Sequence, residues 1–216
     1  MSEIGRPELD RRASLVVEQY HGICAPYEAF YIRSIMYSSG RACDAFLRFD
    51  VAKAVRDSAE NQVSAVHEAL GHAASLSRFF WPSGARASRS AALKRLKEAR
   101  AAKLRAAFEV SDESPLRSRK LRDALEHFDE RLDSFVLTVE AGYFFPDPMV
   151  AESDLADDPT GHIFKLLDSE RSRFVLLGEL YEYGSLRREV ERIRGLARAM
   201  DDNGGRLRTP SGSGAA

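Results

Sequence analysis

Cysteine is scarce: Cys24 and Cys43 are the two in 216 residues. Two thiols make no disulfide scaffold, and without a C-x-x-C pair they cannot build a zinc site. A reducing cytosol is the setting that suits them. Long apolar runs are missing as well. Nothing approaches the roughly 20 residues that cross a bilayer, and the first residues, MSEIGRPELDRRASLVVEQY, lack the apolar centre of a secretory leader. The expectation is a cytoplasmic protein with no membrane partner. Charge of one sign is absent from the totals, since the net charge is −1, so the sum alone does not indicate a nucleic-acid binder. No Gly-rich phosphate loop, no G-x-S-x-G and no Cys/His nucleophile pairing occurs. Neither a cofactor nor a metal is expected.

What is present reads as an ordinary globular chain. The hydrophobic fraction is 44% and the charged fraction 30%, enough to bury a real core in one domain with a small appendage. The spacing predicts a helix from Pro7 to Tyr20, opened by Pro7 and closed by His21-Gly22. From Pro26 to Trp81 the pattern is helical throughout, with Gly40 as a break or a close helix contact. Asp57 is the expected cap of a helix carrying Val63, Val66, Leu70, Ala73, Ala74, Ser77 and Phe80 on one side. "FFWPSG" stops it. After a loop at 83–89 comes a basic helix, "SRSAALKRLKEARAAKLRAAF", and then a long helix reaching Val139.

Beyond "GYFFPDPM" and an acidic stretch the character changes. "HIFKLL" and "RFVLLGELYEY" are short, apolar and rich in β-formers, and predict a β-hairpin. "SLRREVERIRGLARAM" is a last amphipathic helix. "DDNGGRLRTPSGSGAA" has nothing to bury and predicts a disordered tail. The fold class is mainly α: an antiparallel helical bundle with a small C-terminal β-hairpin plus helix. Its parts are an N-terminal helix at 1–25, the bundle at 26–145, hairpin and helix at 146–200, and the tail at 201–216.

One stretch, "RKLRDALEHFDERLD" at 119–133, holds the candidate chemistry. On a helical wheel Leu121, Leu125, Phe128, Leu132, Phe135, Val136 and Val139 form one stripe, expected in the core. Glu126, Glu130 and Asp133 face solvent. Arg122 and His127 fall on the two flanks of the stripe, about 140° apart. Flank positions are the rim of a helix interface, where a half-buried side chain can aim at a neighbouring helix or a second subunit.

This helix resembles the signature helix of the HEPN (higher eukaryotes and prokaryotes nucleotide-binding) family. That signature is an arginine, four to six residues, and a histidine, with a polar residue often directly after the arginine. Here these are Arg122, Asp123 and His127, and Asp123 stands where the family more often has asparagine. "SLSRFFWP" at the end of the preceding long helix also resembles a subset of bacterial HEPN-like proteins. The resemblance covers roughly residues 26–140. It implies a helical bundle, usually a homodimer, and in active members an RNA-cleaving site at the dimer interface that uses no metal. An antitoxin protein is a candidate partner for a toxin-type reading. It further implies an acidic residue from another helix near the arginine, for which Glu60 and Glu68 are both candidates.

The chemistry suits these residue types. RNA carries its own nucleophile, the 2′-OH. A histidine moves that proton or protonates the leaving 5′ oxygen, and an arginine holds two phosphate oxygens as negative charge builds. Asp123 would orient one of the two. The bland alternative pairs Arg122 with Glu126 one turn on and satisfies His127 with a backbone carbonyl. Other readings are weaker. "HEALGH", His67 to His72, spaces its histidines by five, where a zincin needs four. Tyr143, Phe144 and Phe145 read as packing, and Asp157 and Asp158 as solvent-facing turn residues.

Charge is segregated although its sum is near zero. Arg86, Arg89, Lys94, Arg95, Lys97, Arg100, Lys103 and Arg105 face only Glu98, with Arg117, Arg119 and Lys120 just before the motif. The candidate RNA contacts are Arg95, Arg100, Arg105, Arg119 and Lys120. Three functions remain: a toxin- or defence-type endoribonuclease, a non-catalytic bundle that binds RNA, a nucleotide or a protein, and an interaction module working through the hairpin.

Overall fold

The computed structural model describes residues 4–82, 90–138 and 141–209, without the side chains of Arg119, Leu121, Arg122 and Glu126. The loop expected at 83–89, Val139 and the end of the expected tail lie outside the described residues. The chain is mainly helical with a small sheet toward its C-terminal end.

Helix α1 spans Arg6–Tyr20, with Pro7 in its first turn. It closes as the sequence expects. His21 turns left-handed at φ 51°, and the His21 and Gly22 N–H groups bond back to the Val17 and Val16 carbonyls, satisfying carbonyls that the helix end would orphan. The stretch from Pro26 to Trp81 is two helices, α2 (Glu28–Ala54) and α3 (Ala59–Phe80), where the sequence pattern suggested continuous helix. Gly40 lies inside α2 without breaking it. Arg56, at φ 53°, turns the chain between the helices. Ser58 caps α3 through its hydroxyl, which accepts the Asn61 N–H at 3.2 Å. Asp57 braces that cap by accepting the Ser58 N–H at 2.7 Å. The apolar side read for α3 is buried at every named position.

Helix α4 spans Ala91–Ala107, with Ser90 as cap. Helices α5 (Arg119–Glu126) and α6 (Phe128–Thr138) follow, and α7 is Gly184–Asp202. Helix α7 buries Leu186, Val190, Ile193, Ala197 and Met200, an alternating four-three spacing that makes one stripe.

The chain divides into two units. The first comprises 1–37, 76–117 and 192–216, and the second 38–75 and 118–191. In the first unit α1 lies against α4 at a glycine. Gly22 has φ +95°, and a Cβ there would stand 2.3 Å from the Arg100 backbone nitrogen. Phe80 and Phe108 meet edge to face at 5.6 Å and are fully buried. The expected disordered tail is not what 203–209 do. The buried Glu28 carboxylate bonds Lys103 at 2.9 Å, Arg206 at 3.1 Å and the Leu207 N–H at 3.1 Å. A buried acid thus fixes a segment that has almost no apolar surface of its own, which hydropathy does not reveal.

The second unit carries the strands. β1 (Tyr143–Phe145) pairs in parallel with β3 (Gly161–Ile163). β2 (Met149–Val150), β4 (Lys165–Asp168), β5 (Arg173–Leu176) and β6 (Glu179–Glu182) form a sheet in the order β2-β4-β5-β6. The expected hairpin is β4–β5, and the sheet extends it on both sides. Leu177 and Gly178, at φ 51° and 76°, link β5 to β6, the two positive values of a type I′ turn. Side chains alternate across this sheet. Leu166 and Val175 pack with Ile163, Met149, Ala151 and Ala156 on one face. The registered pairs put Lys165, Leu167, Phe174, Leu176, Glu179 and Tyr181 on the other.

Candidate functional site

The motif stretch is a kinked helix where the wheel assumed a straight one. α5 ends at Glu126, and His127 occupies the break at φ −113°, ψ 40°. Backbone bonds from the His127 N–H to the Asp123 carbonyl at 3.1 Å and from the Arg131 N–H to the His127 carbonyl at 3.0 Å carry the chain through. Ala124 is buried. Beyond the kink no residue of α6 is. Phe128, Leu132 and Phe135 are half-buried and Val136 is exposed, so the stripe expected in the core rides at the surface. The 140° relation between Arg122 and His127 belongs to a regular helix, and this one is not regular.

His127 is exposed, at 57% of its side chain, with Nδ1 3.5 Å from the Glu130 carboxylate. Arg122 and Arg119 sit in α5, and their side chains lie outside the described residues. Asp123 is half-buried, and its charge reaches Arg131. Of the two candidate acids, Glu68 is held by Arg48, by Arg41 at 3.8 Å and by His72 at 3.6 Å. Its carboxyl is lowered below the ordinary value, Arg48 contributing most. Glu60 is exposed. His67 and His72 have different surroundings: His72 is beside Glu68, while the His67 ring lies 5.9 Å from that of Phe174.

A groove of about 320 Å³ opens along α5 and α6, bounded by Ala124, Arg131, Phe135, Leu176 and Glu179. Arg131 donates to Glu179 Oε2 at 2.8 Å, and the same oxygen accepts the Tyr181 hydroxyl at 2.6 Å. The Tyr181 bond, and then Arg131, hold the Glu179 carboxyl below its ordinary range. Burial, and then Glu179, push the Tyr181 phenol up. Lys120 on α5 is exposed, and its charge also reaches Glu179. The sequence reading missed Arg131, Glu179 and Tyr181. Arg131 was legible as one turn beyond His127, but its partners come from a strand 48 residues on, which local spacing cannot announce.

Two lining residues, Leu176 and Glu179, belong to a row that crosses three strands. The register pairs Lys165 with Leu176 and Leu176 with Glu179, so all three side chains leave the same face. Lys165 Nζ lies 4.7 Å from the Phe164 ring centre and 5.5 Å from that of Phe128, the residue directly after His127. Burial lowers its pKa from the ordinary lysine value. His67 is lowered too, first by burial and then by the Lys165 charge.

The basic helix is a less open surface than its sequence suggests. It belongs to the first unit. The Arg100 guanidinium lies over the Tyr31 ring at 5.8 Å. Arg105 donates to the Phe80 carbonyl at 2.5 Å and lies over Trp81. Lys103 holds Glu28 and the Ile23 carbonyl. Arg95 is exposed. Against family models, curated proteins and solved structures the chain finds no match.

Proposed function

We propose that the protein is an endoribonuclease of toxin or defence type that cleaves RNA by attack of its own 2′-OH. His127 moves the proton and Arg122 stabilises the phosphate, with Asp123 orienting one of them. The bond from the 2′ oxygen to phosphorus forms as the bond to the 5′ oxygen breaks, leaving a 2′,3′-cyclic phosphate and a 5′-OH. This chemistry needs no metal, because the substrate supplies the nucleophile and the side chains supply acid, base and charge. The observation that carries the reading is the exposure of His127 at the kink. A histidine satisfied inside an apolar contact would have favoured a structural role; this one is open to solvent beside a groove with polar groups on its wall. In a homodimer each protomer's histidine would act with its partner's arginine, since a two-fold axis brings identical patches together.

A second reading draws on β1. Tyr143 and Phe144 are 73% and 62% exposed, not packed as the sequence suggested. An exposed aromatic strand suits a non-catalytic bundle that binds RNA, a nucleotide or a protein partner such as an antitoxin.

The test is cleavage of total RNA by purified protein in EDTA, wild type beside His127→Ala, with product ends analysed for cyclic phosphate. Loss of about 100-fold or more in rate is expected for removal of a general acid–base. Equal cleavage by both proteins refutes the assignment of His127. No cleavage by either folded protein moves the weight to the second reading.

A further inference from the structure

The row Lys165–Leu176–Glu179 is uneven in its charges. Glu179 at one end is satisfied by Arg131 and Tyr181. Lys165 at the other end has two aromatic rings against its ammonium and no carboxylate partner among the described residues. Burial lowers its pKa, and no acid among the described residues offsets it. An ammonium half withdrawn from water loses solvation. Ring faces return part of that, since a cation–π contact is worth roughly 0.5–2 kcal/mol. A methionine or leucine would fill the same space between Phe128 and Phe164 without that loss. A cation with ring faces but no carboxylate partner among the described residues has its charge available for an anion.

The surroundings narrow the anion. Phe128 follows His127 directly, so the ammonium lies against the chain segment that carries the proposed proton-transfer residue. His67, on α3, is close enough to feel the Lys165 charge, and that charge together with burial favours its neutral form. Neutral imidazole both donates and accepts hydrogen bonds. The Phe164 and Phe128 rings, 5.9 Å apart and steeply inclined, bound the site with apolar walls.

We infer that Lys165, flanked by Phe128, Phe164 and His67, is a phosphate-binding subsite that holds a backbone phosphate of single-stranded RNA next to the one undergoing attack. The inference rests on the ribonuclease reading and extends it by giving the substrate a second point of attachment. Arg122 serves the reacting phosphate, and Lys165 serves its neighbour.

The test uses a short 2′-O-methyl ribo-oligonucleotide, which cannot be cleaved by 2′-OH attack, so binding is read without catalysis. Fluorescence anisotropy across a salt series compares wild type, Lys165→Met and Lys165→Arg, with folding checked by circular dichroism. Lys165→Met is expected to bind about 10-fold more weakly and to lose about 0.7 from the slope of log affinity against log salt, the value of one phosphate contact on a single strand. Lys165→Arg keeps the charge and should keep the slope. If Lys165→Met does not fold, Lys165→Gln is read the same way. Wild-type slope and affinity in the neutral variant overturn the inference, as does a folded wild-type protein that does not bind the probe. The two ideas fail separately. Cleavage that depends on His127 with unchanged binding by Lys165→Met refutes only the subsite. Lys165-dependent binding without cleavage in the RNA assay refutes the nuclease, and with it the neighbouring reacting phosphate, while the phosphate contact at Lys165 stands.

Discussion

Replacing Asp168 by alanine removes the anchor of the sheet that carries Lys165. Asp168 ends β4 and is 3% exposed. Its Oδ2 accepts the Ser153 N–H at 2.9 Å and its Oδ1 accepts the Arg171 N–H at 3.0 Å, with the Arg171 guanidinium at 3.5 Å. The carboxylate thus ties the segment before β3 to the β4–β5 turn. Burial alone would raise its pKa; the two backbone donors, the Ser153 hydroxyl and the Arg171 charge together outweigh that and hold the carboxyl low. Alanine leaves both donors without an acceptor. Each stranded donor costs about 1–3 kcal/mol, and since the turn N–H can be reached by water, the sum is about 3 kcal/mol. For a chain of this length that is a fall in Tm of about 6–12 °C. Asparagine keeps one acceptor and should lose about half as much. Urea unfolding followed by circular dichroism measures both variants. Alanine within about 0.5 kcal/mol of wild type, the range of an ordinary surface change, would refute the anchor. The pH dependence gives a second check. The folded pKa lies below the unfolded one, so the contribution is complete above the unfolded value of 3.8 and is lost as pH falls through the folded pKa. Asp168→Asn should flatten stability in that acid window.

Other perturbations follow from local geometry. Leu177 holds a left-handed position that type I′ turns give to asparagine, so Leu177→Asn should raise stability by about 0.5–1 kcal/mol, seen as a higher Tm; a lower Tm would contradict the turn assignment. Gly22→Ala forces a Cβ against the Arg100 backbone at a positive φ and should destabilise by about 3 kcal/mol or more in the same assay; a neutral result would mean α1 and α4 do not approach so closely. His67 has a folded pKa below its ordinary 6.5, so its share of stability is present above that pH and lost as pH falls through the folded value. His67→Gln should reduce the slope of stability against pH just below neutrality, and an unchanged slope would show that the ring is not shielded.

Much of this architecture was readable because it rests on local rules. The His21-Gly22 stop, the basic helix and the β4–β5 strands each follow from residues within a turn of one another. The kink at His127 was not readable. "RKLRDALEHFDERLD" holds no proline or glycine, and its apolar spacing suits a straight helix. The change across the kink, with Ala124 buried and α6 at the surface, does not show in the local spacing. Lys165 was hidden for a related reason. One lysine in "HIFKLL" reads as the solvent side of a strand, and only the β4–β5–β6 register and the Phe128 ring show that it is half-buried with no acid partner among the described residues. The binding of residues 206 and 207 to Glu28 was hidden by distance in sequence. The basic helix misled in the opposite direction, because a charge count does not say that Arg100 and Arg105 spend their guanidinium groups on Tyr31, Trp81 and a backbone carbonyl.

The first unit is assembled from three separated stretches of chain, and its buried Glu28 is completed by Arg206 and Leu207. A ribosome delivers those stretches in order. Lys103 can reach Glu28 midway through synthesis, but the other two partners arrive only after residues 118–191, the whole later part of the second unit, have emerged. Until then Glu28 waits with one partner in place of three. A message cut short between residues 191 and 206 would therefore encode the motif helix and the sheet together with an incompletely fastened first unit, a product for cellular quality control to recognise by that unit.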